Sequence, residues 1–414
     1  MEQLVQISNG GRQQNSYRNF VSMPHQVMFG LGAVQAVMVM IWWLIDIAGR
    51  YGNFYTPISW TIPSNWAHLY LMIFTLFPPY MFGFLMTTYP KWMSGKPVAS
   101  KHYLLAALFL TVGILLTYLG LVISKSLLII SIVIFLLGWA IALYALLRVY
   151  IEAQKPDVLH ARITTGVLMI GFSLLLVYLL GVSINSNYLI EIARNAGVWW
   201  FLFPVFIAVS HRLIPFFSSV VIPNHTAFRP SWALWALVFG GMGHGALEIA
   251  QFSKMTWLLD IPMSGIALWL SCKWLTRKVF EIRILSMLHI SFIWVGIALF
   301  LFGIQSLNLL INNTLIIGKA PLHALLVAYF SSMLIAMATR VTLGHSGRPL
   351  VADQSAWLIY LMIQAAAVIR VVADFIALPA WTGHLYLCSA LLWLLAFGFW
   401  LIKFGPIFWA DAKG

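Results

Sequence analysis

Twelve stretches of predominantly apolar residues, separated by short polar loops, recur along the 414 residues of this chain. A helix needs about 20 such residues to cross the hydrocarbon core of a bilayer, and it satisfies its backbone hydrogen bonds within itself. The windows fall at 27–48, 66–89, 103–123, 127–149, 163–183, 196–218, 231–251, 256–274, 286–306, 320–341, 355–377 and 383–405. Charged residues make up 8% and hydrophobic ones 62%, whereas a soluble domain carries about a quarter charged residues. The expected fold is all-α, a polytopic membrane bundle of about twelve helices. A single domain spans 1–414, with a cytoplasmic segment at 1–26, the bundle at 27–405 and a cytoplasmic tail at 406–414. The first apolar run is too long for a signal-peptide core and lacks a small-residue cleavage site, so it is expected to remain as a span.

Charge placement fixes the expected orientation. With the N-terminus inside, eighteen of the 24 Lys and Arg fall in inner segments and five in outer ones, and Arg370 lies within a span. Positive charge concentrates on the cytoplasmic side of membrane proteins, so both termini are expected inside. The formal charge of +13 follows from this topology. The basic residues form no groove-binding patch, and no nucleic-acid partner is expected. The lipid bilayer is the expected partner. Pro78, Pro79 and Pro204 should disturb spans 2 and 6, because proline lacks a backbone donor and crowds the preceding turn. Cys272 and Cys388 belong to no paired motif and read as buried thiols.

Eleven histidines are many for so apolar a chain. His102, His160 and His225 fall in or beside inner loops and read as solvated or interfacial. The others lie in spans or near their ends. His68, His244, His323 and His384 lie toward the outer face, and His25, His211, His289 and His345 toward the inner one. Polar groups at membrane depth are costly and tend to be functional. Imidazoles from facing helices can clamp a porphyrin in a bundle core. Two depth groups fit one or two metal or haem centres, although a lone imidazole can equally bond to a facing carbonyl. Arg370 and Asp374, four apart on span 11, can pair or Arg370 can meet a haem propionate. His244 and Glu248 share that spacing and read as metal ligands, a proton relay or a mutual hydrogen bond. Gly240, Gly241, Gly243 and Gly245 permit close helix approach or the edge of a flat porphyrin.

Four stretches carry a resemblance. Met337-Ala-Thr-Arg-Val-Thr-Leu-Gly-His-Ser-Gly-Arg-Pro-Leu350 closely resembles a signature of the NnrS family of haem- and copper-containing membrane proteins. So do Pro321-Leu-His-Ala324, His211-Arg-Leu-Ile-Pro-Phe-Phe-Ser218 and Phe82-Gly-Phe-Leu-Met-Thr-Thr-Tyr-Pro-Lys-Trp92. The resemblance implies about twelve spans in a bacterial inner membrane, haem b, copper, and a role in the response to nitric oxide. It points to His68, His323, His345 and Arg348, with support for His289 and for His25 in Met23-Pro24-His25-Gln26. Where many members show His-x-His-Glu near the start of span 2, this chain has His68-Leu69-Tyr70-Leu71. In this reading His68 and His323 hold an outer haem. His25, His289 and His345 supply an inner centre, with His211 a copper or distal ligand and His244 a further metal candidate. Arg340, Arg348 and Arg370 compensate propionates, the first two near the inner face. The outer pair also resembles, at fold level, the span-2 and span-10 haem ligands of haem–copper oxidase cores, whose span-10 His-x-His is absent here. Two other readings stay open: a quinol-linked oxidoreductase such as a nitric oxide reductase-like enzyme, and a transporter or haem- and metal-handling protein.

Overall fold

A computed structural model describes residues 19–154, 158–375 and 379–410. Residues 1–18 of the expected N-terminal segment, Lys155, and residues 411–414 of the expected tail lie outside these. Among the described residues every apolar window folds largely as a helix, and there is no strand. The helices are α1 (Pro24–Arg50), α2 (Ser64–Met93), α3 (Ser100–Ile123), α4 (Lys125–Ile151), α5 (Leu159–Ile184) and α6 (Asn187–Val221). They continue with α7 (Ser231–Ile249), α8 (Trp257–Trp274), α9 (Arg283–Asn312), α10 (Ala320–His345), α11 (Gln354–Phe375) and α12 (Pro379–Phe404). Ten of these helices are long and apolar enough to cross a membrane, so the chain is an all-α, multi-pass membrane protein. The two outside that set are α7 and α8, whose apolar character is diluted by His244, Glu248 and Asp260.

Successive helices pack as neighbours, and α12 returns to lie against α1. The closest pair is α3 with α4, where glycines let the backbones meet. A Cβ on Gly113 would come within 2.9 Å of the backbone of Phe135, and one on Gly120 within 2.6 Å of the Leu128 nitrogen. The middle of the bundle belongs to α2, α6 and α10. Their most apolar stretches are 94%, 78% and 78% buried, against 33–50% for α1, α3, α4, α5, α11 and the last span.

Each of these three central helices contains a π-helical segment: Tyr70–Leu76 in α2, Gly197–Leu202 in α6 and Ala324–Ser331 in α10. The first two have a local cause. Pro78 and Pro79 follow one, and Pro204 follows the other. A proline cannot donate to the carbonyl four residues back, and its ring crowds that carbonyl. A wider π turn offers the carbonyl four residues before Pro79 or Pro204 a donor five residues on, Tyr80 or Val205, whereas Phe74 faces a proline at both positions. The sequence expectation of disturbance at these prolines therefore takes the form of widened turns. No proline follows the third segment closely, and Pro321 instead opens α10.

The loop before α11 is tied by Asp353. Its carboxylate accepts from the Ala356 N–H at 2.9 Å as a helix N-cap and from Lys403 Nζ at 2.6 Å. Partial burial opposes its ionisation, but the Lys403 and Ala356 hydrogen bonds and the Lys403 charge outweigh that and hold its pKa below the usual value. We expect Asp353→Ala to cost about 0.5–2 kcal/mol, the range for losing a cap. A lowered carboxylate pKa stabilises above the unfolded value, about 4, and the benefit fades as pH falls through the folded one. The gap in thermal midpoint between wild type and variant should therefore shrink on acidification; a gap that widened would remove Lys403 and the cap as its cause.

Candidate functional site

At the end of the central helices expected to face outward, His323 immediately precedes the π segment of α10 and His68 lies two residues before that of α2. The His68 ring stacks on Trp43 of α1, with centroids 3.8 Å apart and planes 25° from parallel, and its buried Nδ1 has no hydrogen-bond partner. The Nδ1 of His323 lies 3.0 Å from the Lys319 carbonyl. A carbonyl only accepts, so Nδ1 carries the proton and Nε2 keeps its lone pair. Both rings are half-buried between the surrounding helices. The two imidazoles, Arg370 and Lys319 are within electrostatic reach of one another.

Arg370 pairs with Asp374 at 3.0 Å, as their spacing implied, and its guanidinium lies 4.1 Å over the Tyr386 ring. Asp374 also accepts from the Tyr386 hydroxyl and from the Lys319 N–H. One carboxylate thus organises both Arg370 and the backbone that orients His323.

The histidines expected toward the inner face do not share one centre. His25 and His345 have ring centroids 4.8 Å apart. Thr87 Oγ1 sits 3.4 Å from His25 Nδ1, and Lys91 donates to His345 Nε2 at 3.3 Å. His345 Nδ1 donates to the Val341 carbonyl at 3.1 Å. His289 is elsewhere, with Nε2 3.0 Å from Ser218 Oγ and His225 in electrostatic reach. His211 pairs with His160, a buried residue rather than the solvated one its loop position suggested. Arginine only donates, so Arg212 at 3.4 Å makes His160 Nδ1 an acceptor. His160 Nε2 then donates to His211 Nδ1 at 3.1 Å, and His211 Nε2 donates to the Pro230 carbonyl at 3.2 Å. Every ring nitrogen of this pair is engaged. Among the described residues no three His, Cys, Asp or Glu side chains converge as a metal site.

Arg340 is 6% exposed, its guanidinium sits 3.7 Å over the Phe217 ring, and its Nη1 has no partner. It is a buried cation, which leaves the propionate reading open and argues against a solvated topology anchor. Arg348 is half-buried in the loop after α10. His384 is exposed, and both cysteines face outward instead of being buried.

His244 makes a bond that sequence spacing did not foresee. Its Nδ1 lies 2.7 Å from Asp260 Oδ1 of α8, with side chains 1% and 0% exposed. Trp199, in the π segment of α6, lies tilted by 33° against the ring at 3.8 Å, and Phe302 meets it edge-on at 5.0 Å. His244 Nε2 and Asp260 Oδ2 remain buried without partners. Glu248 instead lines an outer polar pocket with Glu191, Arg194 and Lys254. The glycines of α7 are covered by protein: Cβ atoms there would collide with Met263, Phe203, Leu259 and Trp199. They serve close packing. Asp260 did carry a sequence signal, since a lone acid in an apolar window is costly.

The fold and its buried imidazoles define a polytopic helical membrane protein that gathers histidines at two depths. The chain belongs to the NnrS family: the family model described as NnrS protein matches residues 19–411. At family level this is a nitric-oxide-related haem or metal membrane protein. A search of curated proteins finds no match to the chain.

Proposed function

We propose that this chain is a haem b protein of the bacterial inner membrane that binds nitric oxide in the response to nitrosative stress. The observation that carries the proposal is the state of the outer pair. His323 is held by a backbone carbonyl with its Nε2 lone pair available, and His68 presents a buried nitrogen without a partner. Buried polar atoms in folded proteins find partners, and an imidazole oriented by a carbonyl is the usual state of a metal-bound histidine. The residues therefore fit the group. His68 and His323 would hold it, with Trp43 fixing the plane of the first ring. Arg370 offers positive charge beside them for a carboxylate, and Arg340 does so toward the inner face. When bound, haem b supplies an iron atom that takes nitric oxide as a ligand.

Copper lacks a comparable fit, since no three-ligand cluster exists among the described residues. Turnover would require an electron donor such as a quinol. A reduced-minus-oxidised spectrum with pyridine haem quantitation tests the reading. We expect a b-type spectrum from protein expressed with ample haem. Colourless, iron-free protein would sink it.

A further inference from the structure

Between α1, α2, α6 and α10 lies a partly open cavity of about 60 Å³. On the same measure a single water needs roughly 10–15 Å³. Its wall is almost wholly apolar, formed by residues such as Phe29, Leu85, Val205, Phe206, Met333 and Ala338. Two hydroxyl-bearing residues border it. Ser210 is already bonded to Tyr329 at 3.0 Å, which leaves the unpartnered Tyr80 hydroxyl. A buried water requires two to four polar partners, and apolar cavities of this kind stay dry while accepting xenon or benzene. The wall thus rejects ions and water and favours a small, neutral, weakly hydrogen-bonding molecule.

Position gives the cavity its use. Phe29 packs edge-on against His25 at 6.0 Å and against Tyr80 at 5.4 Å. The void therefore lies one helical turn from the inner His25–His345 pair, within the most buried helices of the protein.

We propose that this cavity is a holding site for a small apolar gas. Naming nitric oxide as that gas rests on the function proposed above; the cavity's selectivity does not. A gas concentrated in the bilayer would enter the bundle here and wait beside the inner imidazoles.

Xenon tests the site without reference to haem. Purified full-length protein is exposed to xenon and followed by xenon NMR or by diffraction from pressurised crystals. We expect xenon between Phe29 and Ala338, loss of that signal in Ala338→Leu, which fills the void, and greater occupancy in Leu85→Ala, which enlarges it. If Ala338→Leu fails to fold, Leu85→Ala still decides. Xenon absent from these helices, or uptake unchanged by Leu85→Ala, overturns the inference. Haem-containing protein that takes no xenon here sinks the cavity alone, whereas haem-free protein that takes it sinks the haem reading alone.

Discussion

On the proposed function, purified His323→Ala protein will lose haem, and so will His68→Ala. Each substitution removes one lone pair from a site at the end of the central helices expected to face outward. Disturbing only a partner that orients a metal ligand lowers affinity by about 10–100-fold, so removing the ligand itself should cost more than that. The measurement is haem per chain by the pyridine method, alongside the reduced-minus-oxidised spectrum. His323→Gly should recover part of the spectrum with added imidazole, which separates loss of a ligand from collapse of the fold. His211→Ala is the internal control. Its ring nitrogens are both engaged, by His160 and the Pro230 carbonyl, so haem content should hold. Full haem and unchanged spectra in both His68→Ala and His323→Ala would remove the outer pair from the account.

Depth along a helix was legible in the sequence, but angular position was not. Window edges place His25, His289, His211 and His345 near the inner face with no further information. Which side of its helix each imidazole takes depends on how twelve helices rotate against one another. One inner centre was expected from depth and the family resemblance together, and the structure distributes those rings among His25–His345, His289–Ser218 and His160–His211. The pair Arg370–Asp374 was readable because it needs only the 3.6-residue repeat of one helix. The His244–Asp260 bond was not, because it joins α7 to α8 and competes with the closer-spaced Glu248. The π segments were half legible: the prolines that follow two of them are visible, while the third lacks that mark. All three nevertheless adjoin an outer imidazole, in sequence for His68 and His323 and through Trp199 for His244. Such segments concentrate at functional sites, which makes their shared placement informative about where side chains had to be re-aimed.

Asp260→Ala should be among the more damaging single substitutions in the bundle, at about 1–3 kcal/mol, the cost of leaving a buried polar group without its partner. The reason is local. His244 is clamped by Trp199 and Phe302 and cannot turn toward water, so loss of the carboxylate leaves its Nδ1 without an acceptor. The double variant His244→Phe with Asp260→Leu replaces both partners by apolar groups and should recover most of the loss, since buried pairs often contribute little net stability. Denaturant unfolding in detergent, run as a double-mutant cycle, measures the coupling directly. A loss below about 1 kcal/mol in Asp260→Ala would mean that the bond contributes no more than an ordinary neutral hydrogen bond. Haem content in the same variants assigns the pair its place. If Asp260→Ala keeps its haem while His323→Ala does not, the dyad is a separate polar element beneath the outer pocket lined by Glu248. If both lose haem alike, Asp260 belongs to the haem site, and His244 must be counted with His68 and His323.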